Sequence, residues 1–107
     1  MGMSDPLIRT RIKVIMACDP QLAKAEIAEQ IYQELKANNP HVDYDKLVRS
    51  VFNEYDLIVA CEIVKDTVPY RYCITTVARY PNLMYYPVEV MAGFILNEWR
   101  NSNGATL

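Results

Sequence analysis

Between residues 21 and 37 the apolar positions recur at helical spacing. Leu22, Ile27, Ala28, Ile31, Tyr32 and Leu35 share one face, and Lys24, Glu26, Glu29, Gln30, Gln33, Glu34 and Lys36 cover the other. That pattern predicts an amphipathic helix ended by Asn38-Asn39-Pro40. A second helix is expected over 44–55, with Asp43 as N-cap and Leu47, Val48, Val51, Phe52 and Tyr55 as its apolar stripe. Residues 7–18 fit two periods. Alternation sets Ile8, Thr10, Ile12, Val14 and Met16 against Arg9, Arg11 and Lys13, while Ile8, Ile12, Ile15 and Met16 also form a helical stripe. Ser4-Asp5-Pro6 offers a cap and a proline at the first helical position, which favours helix.

The pattern changes after Tyr55. Residues 57–64 (LIVACEIV) are rich in β-branched side chains. Over 70–80, Tyr70, Tyr72, Ile74, Thr76 and Ala78 alternate with Arg71, Cys73, Thr75, Val77 and Arg79. Both segments read as strands, and Lys65-Asp66-Thr67-Val68-Pro69 reads as the turn of a hairpin between them. Residues 81–87 read as a loop. Residues 88–100 read as a helix with a seam at Val88, Met91, Ala92, Ile95 and Trp99, followed by a frayed tail at 101–107. The expected fold is therefore α+β, a winged helix with three helices, a two-stranded β-hairpin wing and a C-terminal helix. If residues 7–18 are a strand, the order becomes β-α-α-β-β-α with a small antiparallel sheet.

Bulk properties narrow this further. A chain of 107 residues is one domain, with its core expected over 7–100. Half the residues are apolar (51%) at a net charge of -2, which excludes disorder. The same balance excludes a generic nucleic-acid coat, but not a DNA reader with its cations gathered on one face. Three cysteines without CxxC spacing, a polar start and no apolar run of about 18 residues point to a reducing, cytoplasmic setting without a membrane span.

A helix that reads the major groove needs Arg or Lys for guanine and phosphate, and Asn or Gln for adenine. Lys46, Arg49, Ser50 and Asn53 supply those types on the outer face of the 44–55 helix, with the carboxylates of Asp43, Asp45, Glu54 and Asp56 nearby. The run AEIAEQIYQEL, then HVDYDKLVRSVFNEYDLIV, then the expected hairpin resembles the winged-helix domains of bacterial regulators, the ferric-uptake type in particular. The resemblance spans about residues 7–79. It implies that 43–55 is the recognition helix with Arg49 at a basic position, and that Lys65 and Arg71 are wing residues on the DNA backbone. It also implies a homodimeric regulator of double-stranded DNA. Such regulators often carry glycine where this chain has Tyr55-Asp56-Leu57, and their metal-sensing second domain has no room here. The alternative order is that of type I KH domains, but Ala37-Asn38-Asn39-Pro40 lacks the glycines that let such a loop approach phosphates.

Other features point to a different class, a protein-interaction module. Tyr70, Tyr72, Tyr80, Tyr85 and Tyr86, with Arg71 and Arg79, make an aromatic-basic group suited to base stacking, to a protein interface or to plain packing. The seam of Val88, Met91, Ile95 and Trp99 serves either the domain's own core or self-association. In a hairpin centred on Thr67, Cys61 and Cys73 lie opposite each other, where a disulfide or a shared metal is geometrically conceivable. The cysteine and histidine spacings match no metal knuckle, and buried free thiols are common. His41 stands alone in a loop, and no catalytic constellation or cofactor-binding motif is present, so neither an enzyme nor a cofactor is expected.

Overall fold

The computed structural model describes residues 5–103, and every regular element among them is helical. The order is α1 (Pro6–Cys18), α2 (Lys24–Asn38), α3 (Tyr44–Val64), α4 (Tyr70–Arg79), a 3-10 turn (Pro81–Tyr85) and α5 (Val88–Asn103). The chain gathers into two compact units, residues 1–55 and 56–107, and the division falls inside α3. No helix among the described residues is long and apolar enough to cross a membrane. Ser4 of the expected cap and residues 104–107 of the expected tail lie outside the described residues, whereas 101–103 complete the last turn of α5.

Residues 7–18 are helical, as the cap reading favoured. The Asp5 carboxylate accepts from the Ile8 N–H at 3.2 Å, and Pro6 opens the first turn. The buried side is Arg9, Ile12 and Ile15. Asp19 closes the helix by donating its N–H to the Ile15 carbonyl at 2.8 Å. The next helix begins at Lys24, later than the spacing from Gln21 implies, because Asp19 and Leu22 close a turn first (3.2 Å). Glu26 then reaches back to accept from the Ala23 N–H at 2.8 Å, satisfying one otherwise orphaned donor. Ile27, Ala28 and Ile31 form the buried face of α2.

The largest correction concerns residues 57–80. The expected β-hairpin is absent, so both the winged helix and the β-α-α-β-β-α alternative are overturned. Residues 57–64 continue α3 without a break, and 70–79 form α4. The physical reason lies in the spacing. One buried row along α3 runs Leu47, Val51, Glu54, Ile58, Cys61 in alternating steps of four and three, and Leu57, Ala60 and Val64 are buried beside it. No glycine or proline interrupts 41–68. An acidic residue at the middle of the stripe disguised its continuity, and a short apolar run cannot by itself separate buried helix from strand. In α4 the buried set is Cys73, Thr76 and Val77, a three–four step, so burial along one helical face overrides the β preference of its Tyr, Thr and Val residues.

Each unit has its own buried set. In the first, Ile12, Ile15, Ile27, Ala28, Ile31, Leu47 and Val51 are buried. In the second, Leu57, Ala60, Cys61, Val64, Val68, Cys73, Val77, Leu83, Met84, Met91, Ala92 and Ile95 form one cluster, with Tyr72, Ile74, Val88, Phe94, Leu96 and Trp99 packed against it.

Candidate interaction surface

The residues expected to bind nucleic acid are divided between the two units. Lys46 and Arg49 are exposed on α3, but Ser50 and Asn53 are half-buried, so the four do not form one free polar face. The Asp43 carboxylate caps this helix at 3.1 Å from the Lys46 N–H, placing an anion beside the first cation. Lys65 and Arg71 do not stand on a wing. Lys65 follows the last residue of α3, and its Nζ pairs with Glu62 at 3.0 Å. That hydrogen bond holds the Lys65 ammonium above its ordinary pKa. Arg71 is exposed in the first turn of α4, an unfavourable end of the helix dipole for a cation.

The α5 seam is occupied by the second unit's own core. Met91 and Ile95 are fully buried, and Val88 and Trp99 pack against the same cluster. The Trp99 indole meets the edge of Tyr72 at 5.0 Å between centroids, and the Tyr72 hydroxyl lies 3.3 Å from the Ser102 hydroxyl. These contacts tie α4 to α5 and leave little of the seam for another molecule.

What the seam does not offer, the tyrosines do. The 3-10 turn opens on Pro81 and is held by Leu83 N–H to Tyr80 carbonyl (3.0 Å) and Tyr86 N–H to Leu83 carbonyl (3.1 Å). This tight turn buries Leu83 and Met84 and throws the flanking rings outward. Tyr85 is 79% exposed, Tyr86 54% and Tyr80 40%, and Val90 on the first turns of α5 is 49% exposed. Tyr80, Asn82, Leu83, Tyr86, Val90 and Phe94 line a groove of about 280 Å³. Two of its lining rings brace each other, Tyr80 and Phe94 meeting edge to face at 5.0 Å. At one end the Arg79 guanidinium sits 5.5 Å from the Tyr80 ring and 3.8 Å from the Glu98 carboxylate. The pattern TVARYPNLMYYPVEV carried the signal, three tyrosines and three valines around two prolines. The expected strand would have ended at Tyr80, with Tyr85 and Tyr86 in the loop after it.

The first unit holds a buried ion pair. Arg9 donates to Glu54 at 2.9 Å, and the Asp5 N–H donates to the other carboxylate oxygen at 2.6 Å. Glu54 is 1% exposed. Burial pushes its carboxyl above the ordinary value of 4.5, and the two donors only partly offset this. A carboxyl with a raised folded-state pKa binds its proton more tightly folded than unfolded, so its contribution to stability falls as pH rises above the unfolded value. Urea unfolding at several pH values from about 4 to 7 should therefore show wild type losing ground relative to Glu54→Gln as pH rises. A difference that stays flat, or grows with pH, contradicts the raised value.

Among the described residues no group of three His, Cys, Asp or Glu side chains is placed to hold a metal ion. Compared with protein-family models, curated proteins and solved structures, the chain matches none of them.

Proposed function

We propose that this chain works as a protein-binding module whose contact surface is the tyrosine-rimmed groove of the second unit. The observation that carries the reading is the exposure of Tyr80, Tyr86 and Val90 along one groove, with Tyr85 exposed beside Tyr86 in the chain. Exposed rings cost solvation when left in water and lose few rotamers on binding, which makes tyrosine a common interface anchor. A patch that is mainly apolar and rimmed by polar groups marks a contact surface on a small domain. The occupant is a partner protein or a second copy of the chain, and a reducing, cytoplasmic setting fits three cysteines of which none is in a disulfide.

A photo-crosslinker in place of Tyr85 should trap one discrete partner in cells of the source, whereas the same group at exposed Ala37 should not. Tyr86→Ala should cut the yield by about tenfold or more, the effect expected of one anchor ring. Equal adducts from both positions, or none from position 85, contradict the reading. Double-stranded DNA is the second reading, favoured by the exposure of Lys46 and Arg49 nearly one turn apart on α3. Two phosphate contacts give a log–log salt slope of only about -2. Duplex affinity at low salt that vanishes in Lys46→Ala and Arg49→Ala, with the groove variants unaffected, would shift the assignment to DNA.

A further inference from the structure

We propose that Cys61 and Cys73 are an oxidisable dithiol that closes to an intramolecular disulfide within the second unit. The placement follows from the helix pair. Cys61 lies three residues before the end of α3, and Cys73 lies three residues after the start of α4. The link between them is tight, since the Val64 carbonyl accepts from both the Thr67 N–H (3.0 Å) and the Val68 N–H (2.8 Å). Both cysteines join the same buried cluster of the second unit. Their side chains interact there, and neither cysteine is in a disulfide. Thus the pair that a hairpin would have set opposite each other is gathered into one cluster by two helices.

The chemistry also favours one direction of attack. The hydrogen bond from Cys61 lowers the pKa of the Cys73 thiol, against the opposing effect of burial, which raises the thiolate share at Cys73. The pair is shielded, with Cys61 4% and Cys73 0% exposed, so the oxidant must be near the size of water. Hydrogen peroxide meets that requirement. The Cys73 sulfur attacks one peroxide oxygen, the O–O bond breaks, and the departing hydroxide takes the Cys73 proton as water, leaving a sulfenic acid. The Cys61 sulfur then attacks the Cys73 sulfur, the S–O bond breaks, and the hydroxide leaves as a second water with the Cys61 proton. Two thiols are oxidised by two electrons in all, and one peroxide is reduced to two waters.

Cys18 is exposed and belongs to the first unit, so Cys18→Ser in the full chain removes the competing thiol. Native Cys18→Ser should resist a bulky maleimide. After hydrogen peroxide its mass should fall by two hydrogens, and a peptide map should join the segments holding Cys61 and Cys73. The cross-link closes a short loop, and Tm should rise by roughly 10 °C and fall back on addition of a reductant. Cys73→Ala in the same background should lose the linked peptide. Two titratable thiols in denaturant after peroxide treatment, or oxygen added to each cysteine without a link, would overturn the proposal. Since the first measurement uses both natural cysteines, it stands even where the alanine variant folds poorly.

Discussion

Arg9→Ala lowers the unfolding free energy by about 3 kcal/mol at neutral pH, because it leaves the Glu54 carboxylate buried with one remaining donor, the Asp5 N–H. Glu54 is 1% exposed and cannot recover water without opening the first unit. Its escape is protonation, and burial already biases the carboxyl that way. The loss should therefore shrink as pH is lowered toward the ordinary carboxyl value, which separates it from a simple packing defect. Replacing both partners with apolar residues of similar shape, Arg9→Met with Glu54→Leu, should recover most of the loss or exceed wild type. Urea unfolding followed by far-ultraviolet circular dichroism measures all three proteins. A cost below about 1 kcal/mol for Arg9→Ala would show that the pair is effectively solvated, in the range of surface ion pairs.

Ile95→Ala should cost a similar amount, about 3 kcal/mol, for a different reason. Ile95 is fully buried in the cluster of the second unit, and truncation removes apolar burial and leaves a cavity. The loss should not depend on protein concentration, since the seam packs inside its own unit. Trp99 is the chain's single tryptophan and packs on the same cluster, so its fluorescence reports the transition directly. Midpoints that move together at two concentrations tenfold apart fit this account. A midpoint that falls on dilution in wild type, with the dependence lost in Ile95→Ala, would instead assign the seam to self-association.

Much of the first unit was legible in the sequence, and the reasons are local. Asp5-Pro6 is a cap that acts within one turn, and the 21–37 pattern is an unambiguous helical stripe. Residues 57–80 were not legible in the same way. Their β-branched and aromatic content speaks for strands, while their spacing also fits a helix face, and local preference is too small to decide between the two. The tyrosine cluster followed the same division. Tyrosine richness was visible, but which rings point out depends on a 3-10 turn that the loop residues do not announce.

By itself the sequence determined a chain half apolar and nearly neutral, with three helices fixed by period and caps, and a tyrosine-rich segment between two prolines. These are properties of composition and of contacts a few residues long. Only tertiary structure decided that α3 runs through Glu54 into residues 57–64, because that carboxylate is tolerated inside only once Arg9 and the Asp5 N–H reach it from 45 and 49 positions away. Tertiary packing alone likewise turned Met91 and Ile95 inward and Tyr85 outward, since burial depends on which distant side chains fill each face.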